Sequence, residues 1–308
     1  MRWAKQGRVY VPPGNAEWAQ AYAFPPTPVL RPDGTTLRLY LAFCDAQTRG
    51  RVGWVDVRAD DPGTVLGVSE TPVLDFGAAG MFDENGVLPT SVIAVDDAFY
   101  MYYVGYQLGY GVTYYQFEGL AISRDGGETF ERAQRVPVTD RTDAEPLNRT
   151  SAFVRRIDDG TFQMWYVGGD RWTIVDGKPL PVYNMRFMES ADGIAWPSEG
   201  EVCLDFDADD EHAFGRPWVW EDGAGLAMMY SVRTRSKDYR LGLARSSDGR
   251  RWERHDDEVG IDVSATGWDS EMIAYSAVFS APNGETYLFY NGNERGKTGF
   301  GYAVLEAP

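Results

Sequence analysis

Tyr40-Leu41-Ala42-Phe43 is the first of five short strand-like segments that each end on an aromatic residue. The others are Tyr100-Met101-Tyr102-Tyr103, Gln163-Met164-Trp165-Tyr166, Ala227-Met228-Met229-Tyr230 and Tyr287-Leu288-Phe289-Tyr290. Their last residues fall at 43, 103, 166, 230 and 290, in steps of 60, 63, 64 and 60. A steady period of this length marks a sequence made of repeated supersecondary units. Each aromatic segment follows an apolar one containing Val29, Val92, Val154, Val219 or Val278. Between the two lies Asp33-Gly34, Asp96-Asp97, Asp159-Gly160, Asp222-Gly223 or Asn283-Gly284, residue types that tolerate the positive φ of a tight hairpin turn.

Outward from these hairpins, a third strand follows in most repeats, as in Gly119-Leu120-Ala121-Ile122-Ser123 and Leu241-Gly242-Leu243-Ala244-Arg245. A turn of Asp-box type comes next: Ser123-Arg124-Asp125-Gly126-Gly127-Glu128-Thr129-Phe130, with shorter relatives at Ser190-Ala191-Asp192-Gly193-Ile194-Ala195-Trp196 and Ser247-Asp248-Gly249-Arg250-Arg251-Trp252. In these the Asp and Gly shape the turn and the aromatic packs between sheets. Five units of three to four antiparallel strands predict an all-β, single-domain, five-bladed β-propeller. The repeats span roughly 15–78, 79–143, 144–208, 209–268 and 269–308, and the strand around Arg8-Val9-Tyr10-Val11 completes the last of them.

The 308 residues are 44% hydrophobic and 24% charged, an ordinary globular composition. Forty-six acidic residues against 29 basic ones give a net charge of −17, which repels polyanions and argues against nucleic-acid binding. No apolar run reaches the length of a membrane span, and Met1-Arg2-Trp3-Ala4-Lys5-Gln6 lacks a secretory apolar core. Cys44 and Cys203, far apart, form neither a disulfide framework nor a zinc pattern. A cytoplasmic location is expected, with no membrane partner; the oligomeric state is not visible.

In a propeller the inner strands converge on one axis, so the residues just before each inner valine are where a site is sought. Asp83, Glu145 and Asp269 all lie nine residues upstream of their valine, and His212 and Glu271 lie seven upstream. Equivalent offsets mean equivalent positions around one axis, and three or four carboxylates converging at the mouth repel one another unless one is protonated or a cation joins them. Acid–base chemistry by Asp83, Glu145, Asp269 and Glu271 is therefore expected, or a divalent metal held by Asp83, Glu145, Asp269 and His212. Arg49, Arg51, Arg149, Arg216 and Arg233 gather near the same rim and would suit phosphate oxygens; pairing with nearby carboxylates is the alternative. Tyr106, Tyr114, Tyr115, Trp172, Trp218 and Tyr275 could stack on a sugar or base or simply pack between blades. No GxGxxG fingerprint, phosphate-binding loop or nucleophile elbow is present, so no NAD cofactor is expected.

Phe82-Asp83-Glu84-Asn85-Gly86-Val87-Leu88-Pro89, Phe214-Gly215-Arg216-Pro217, Gly267-Trp268-Asp269-Ser270-Glu271-Met272-Ile273 and Tyr290-Asn291-Gly292-Asn293 carry a resemblance over nearly the whole chain. The repeats resemble the five-bladed propeller of glycoside hydrolase families 43, 32 and 68. More closely, they resemble a branch found among bacterial surface-polysaccharide and antibiotic sugar genes. That branch includes flavin-independent, metal-dependent nucleotide-sugar mutases of the GDP-L-galactose mutase type. The resemblance implies an enzyme interconverting pyranose and furanose forms of a GDP-sugar, with Mn²⁺ or Mg²⁺ and no flavin. The alternatives are a furanosidase-type glycoside hydrolase using paired carboxylates and a non-catalytic saccharide-binding propeller. Two departures stand out: Tyr22 replaces the branch's histidine before the first inner strand, and Ala21-Tyr22-Ala23-Phe24 lacks the hydrolases' carboxylate.

Overall fold

The Asp-Gly turns fold each apolar segment back on its aromatic partner. In the computed structural model of the protein, which describes residues 1–175 and 177–306, Asp33 accepts hydrogen bonds from the backbone N–H groups of Thr35 and Thr36, both at 2.7 Å. Asp159, Asp222 and Asn283 act alike at their own turns. The second repeat has no glycine there, and Asp96 itself takes the left-handed conformation, at φ 53°.

Among the described residues twenty strands fall into runs of four. Strand β1 (Trp3–Tyr10) is followed by β2 (Ala21–Leu30), β3 (Thr36–Cys44), β4 (Gly50–Arg58) and β5 (Asp61–Val68), and the last four form one antiparallel sheet. The second run is β6 (Val87–Val95), β7 (Ala98–Leu108), β8 (Tyr114–Ser123) and β9 (Glu131–Arg132). The third is β10 (Asn148–Arg156), β11 (Phe162–Val175), β12 (Lys178–Ser190) and β13 (Glu201–Leu204), and the fourth is β14 (Glu211–Glu221), β15 (Leu226–Thr234), β16 (Arg240–Ser246) and β17 (Glu253–Arg254). The fifth joins β18 (Ala274–Ser280), β19 (Thr286–Asn291) and β20 (Phe300–Leu305) to the N-terminal β1, which pairs antiparallel with β20. Single parallel bridges, Arg149 to Phe117 and Tyr183 to Ala213, link runs two to four into one twelve-stranded sheet.

The first strands pack in cyclic order: β2 on β6, β6 on β10, β10 on β14, β14 on β18, and β18 on β2. Aromatic donors reach from each run to the next. Tyr40 Oη donates to Gly127 O (2.8 Å), Tyr102 Oη to Gly193 O (2.7 Å) and Trp165 Nε1 to Gly249 O (2.7 Å), each acceptor being an Asp-box glycine. Trp218 Nε1 donates to Val278 O at 2.8 Å, and Tyr287 Oη closes the series on Asp60 O at 3.0 Å. The Asp-box aromatics pack beside the same donors: Phe130 lies 5.5 Å from Tyr40 and Trp252 6.2 Å from Trp165. Buried polar tips thus find partners while their rings fill the gaps between runs. No helix among the described residues is long and apolar enough to cross a membrane.

Candidate functional site

The aligned carboxylates are equivalent, as their spacing requires, but they do not meet. Each sits in the loop ahead of its inner strand and turns back onto the tyrosine that closes the aromatic segment in the second strand of its own run. Asp83 accepts from Tyr103 Oη at 3.1 Å and pairs with Arg132 at 2.7 Å. Glu145 accepts from Tyr166 Oη at 2.7 Å and from Gly200 N at 3.0 Å, and pairs with Arg149 at 3.2 Å and Arg186 at 3.5 Å. Asp269 accepts from Tyr290 Oη at 3.0 Å and pairs with Lys5 of β1 at 2.7 Å. The fourth run reaches the same clamp from the opposite direction in sequence: Asp256, after β17, accepts from Tyr230 Oη at 2.7 Å and from Arg254 Nε at 3.0 Å. In the first run the register position of these tyrosines holds Phe43, which packs on Trp18 at 5.4 Å and needs no acid. Asp83, Glu145 and Asp269 are occupied as buried structural pairs, and the half-buried Asp256 pairs with Arg254, which it shares with Glu211.

The axis instead opens into a cavity of about 580 Å³, within the range of small-molecule sites. Its floor comes from a feature the repeat shares but the offsets did not mark. Every inner strand breaks register at a corresponding place, between Phe24 and Thr27, Pro89 and Ser91, Thr150 and Phe153, Gly215 and Trp218, and Ala274 and Ala277. A bulge re-aims the extra residue. Pro25, Thr90, Ser151, Arg216 and Tyr275, one from each bulge, all line the cavity. Among the described residues eight non-glycine residues have positive φ, and six of them (Tyr22, Thr48, Ser151, Arg216, Tyr275 and Arg295) line this cavity. Backbone strain concentrated at one place is a mark of a functional site.

Among the described residues four arginines line the cavity, Arg49, Arg216, Arg233 and Arg295, and no carboxylate does. Arg49 is bound to Asp45 at 2.9 Å. The other three make no ion pair with any described residue. Arg216 is fully buried; it donates to Tyr275 O and Thr27 Oγ1, both at 2.8 Å, while its Nε has no partner. Burial pushes its guanidinium down to about 9, so it is still a cation at neutral pH. Burial also opposes charge on Arg233, but the hydroxyls of Tyr239, Tyr183, Tyr114 and Tyr275 outweigh it and hold this group above the ordinary arginine value. Rings form two walls, Trp172 on Tyr114 on Tyr106 (5.6 and 5.3 Å) and Tyr239 on Tyr275 on Phe24 (5.5 and 6.3 Å). A desolvated, unpaired cation costs several kcal/mol, roughly, until an anion joins it.

Of the residues expected at a site, the fold brings Arg49, Arg216, Arg233 and Tyr275 to the cavity and sets Trp172 behind Tyr114. Asp83, Glu145 and Asp269 are removed from it by their tyrosine clamps, and Glu271 is exposed on a loop with its backbone held by Asn293 and Arg240. Arg149 and Arg51 are consumed by ion pairs, Arg51 with Asp45 and Asp75, so for these two the alternative of pairing prevails. Trp218 is a core residue bridging β14 to β18, and Tyr115 faces Arg141. His212 is buried with Nδ1 3.0 Å from Pro181 O, and burial lowers its pKa, leaving it neutral. Among the described residues no group of three His, Cys, Asp or Glu gathers, so the residues nominated for Mn²⁺ or Mg²⁺ do not form a cage. Sequence reasoning missed Pro25, Thr90 and Ser151. A usable signal existed, since Pro26, Pro89 and Pro217 interrupt inner strands, where proline is confined to edges and bulges.

Solved structures define the class. The BT0996 RGII complex superposes with a TM-score of 0.72 at 20% identity, covering 99% of this protein and 92% of that one. A thermostable family-43 glycoside hydrolase gives 0.69 at 19% identity, covering 96% and 90%. A member of the GH130 family of mannoside phosphorylases, described as containing hydrolases that target β-1,2 mannosidic linkages in Candida mannan, gives 0.68 at 14%, covering 99% and 93%. The fold is therefore that of the glycoside hydrolase propellers. No family model matches the sequence. Over 306 residues it is 35% identical to "Uncharacterized protein Rv1502" of Mycobacterium tuberculosis, covering 99% of this protein and all of the relative, and it matches MT1551 of a second strain at the same identity. This protein belongs to the family of these mycobacterial proteins.

Proposed function

We propose that the protein is a carbohydrate-active, five-bladed propeller whose axial cavity takes a saccharide bearing an anionic group, such as a sugar phosphate, a uronate or a nucleoside-diphosphate sugar. The observation that carries this reading is the cavity wall: among the described residues, four arginines and no carboxylate on a protein of net charge −17. Arg216 and Arg233 would hold phosphate or carboxylate oxygens, and the tyrosine walls would lie against sugar or base faces. The glycoside hydrolase neighbours support a saccharide as the ligand, and among reactions they favour hydrolysis over ring interconversion. Hydrolysis through a carboxylate pair needs two acids flanking the bond. The described residues of the wall offer none, so on them the hydrolase reading requires an acid acting from behind the wall. Ring interconversion of a sugar nucleotide is the finer reading on the other side; there the arginines would stabilise a diphosphate leaving the anomeric carbon.

Calorimetry with GDP-, UDP- and dTDP-sugars, sugar phosphates, uronates and neutral oligosaccharides tests the binding claim. An anionic sugar should bind, and added salt should weaken it. Tighter binding of neutral oligosaccharides would refute it. Chromatography of the same mixtures separates the reactions: free sugar means hydrolysis, and a product of unchanged mass means isomerisation.

A further inference from the structure

One carboxyl group lies directly behind the cavity floor, and no cation answers it. Glu118 of β8 is fully buried. One oxygen accepts a hydrogen bond from the Thr90 hydroxyl of β6, and the other accepts from the backbone N–H of Ala152 of β10 at 3.2 Å. Its own backbone N–H donates to Thr139 Oγ1 ahead of β10. The titratable group facing it is the Tyr102 hydroxyl of β7, which donates to Gly193 O and which burial pushes far above its ordinary value, so it is neutral. Ionising Glu118 in this setting is opposed by desolvation with no charge to offset it. Burial lifts the carboxyl to about 8, against hydrogen bonds from Thr90 and the Ala152 and Ser151 backbone, so it holds its proton at neutral pH. Both Thr90 and Ser151 are bulge residues lining the cavity. The hydroxyl that holds Glu118 therefore belongs to the wall that a ligand would touch.

We propose that Glu118 is a neutral acid that supplies a proton to the cavity through the Thr90 hydroxyl, an inference that rests on the cavity being a saccharide site. For this step the shared hydrogen bond runs the other way, with the protonated Glu118 Oε1 donating to Thr90 Oγ1. The Glu118 proton then passes to Thr90 Oγ1 as the Thr90 proton, turned into the cavity, passes to the oxygen leaving the anomeric carbon. The C–O bond breaks, the departing oxygen leaves protonated, and water or the sugar's own ring hydroxyl adds to the carbon. The proton shed by that nucleophile returns by the same route and restores the acid. An acid titrating near the working pH suits such a donor. Thr90 would be the catalytic contact, and Glu118 the positioning residue behind it. The arrangement supplies the acid that the cavity wall lacks.

Infrared difference spectra of wild type minus Glu118→Gln decide the matter. A protonated-carboxyl C=O band is expected at pH 6 and should vanish by pH 10. Thr90→Val should shift that band by removing its hydrogen-bond partner, and Thr90→Ser should restore it. Absence of the band at pH 6, or a band indifferent to Thr90→Val, would overturn the proposal whatever the ligand proves to be. With any sugar that turns over, Thr90→Val should lower kcat on the order of 10-fold or more at unchanged KM, while Thr90→Ser keeps it; equal kcat in all three would overturn it too. Calorimetry of inorganic pyrophosphate and GDP on the same samples reports separately on the cavity, so loss of the anionic reading and loss of the proton route are distinguishable.

Discussion

Two rings of polar side chains surround this fold's axis, and they solve opposite problems. The outer one places Asp83, Glu145, Asp256 and Asp269 against Tyr103, Tyr166, Tyr230 and Tyr290, and gives each acid a cation partner. Charge is buried there and balanced on the spot. The inner ring, built on five bulges, carries Arg216 with no counter-charge and Glu118 with no cation. Ionisable groups are buried there and left without a partner of opposite charge. Self-sufficient pairs hold a fold together, whereas unanswered groups around a cavity await something from outside.

Breaking the outer ring should give the largest effect. Glu145→Ala leaves Arg149 and Arg186 buried without their acid and should cost about 3–5 kcal/mol in denaturant melts, while ligand affinity at the folded plateau stays within about 2-fold. Loss of binding without loss of stability would return Glu145 to the site. Breaking the inner ring should act the other way round. Arg216→Gln should weaken an anionic ligand by on the order of 100-fold in calorimetry and leave Tm unchanged or higher, because an unpaired buried charge is removed. Unaltered affinity would show that the arginine only props the floor. A smaller change tests one arm of the clamp: Tyr166→Phe should cost about 1–2 kcal/mol with no change in binding.

A further effect sharpens the contrast through pH. Glu118 holds its proton up to about 8 when folded, against an ordinary value of 4.5. Between those values the folded protein keeps a proton that the unfolded chain has released. Its contribution to stability therefore falls as pH rises from 4.5 and levels off above about 8. The Tm difference between Glu118→Gln and wild type should widen in the variant's favour by a few degrees from pH 5 to 8. A constant difference across that range would mean that Glu118 titrates normally.

Much of this organisation was legible in the sequence. The recurrence of aromatic segments, the Asp-Gly turns and the Asp boxes named the hairpins, because each depends on residues within a few positions of one another. Even the equivalence of Asp83, Glu145 and Asp269 was readable, and the tyrosine that each meets is the residue that closes its aromatic segment. Phe43 in place of that tyrosine marked the one run without a clamp.

What the linear pattern left open was direction. Nine residues ahead of the valine, the backbone is still in a loop and folds outward onto its own run; a few residues ahead, a bulge turns a side chain inward. Offsets alone do not distinguish the two, since the switch depends on one unpaired residue per strand and on the prolines and twist that place it. Asp256 enters its clamp from after the third strand and has no counterpart offset at all. The sequence by itself determined five like-built runs and their turns, since local hydrogen bonding and side-chain alternation are short-range. Only the tertiary structure decided that the convergent surface is arginine, tyrosine and threonine rather than carboxylate, because that surface exists only where five distant bulges come together.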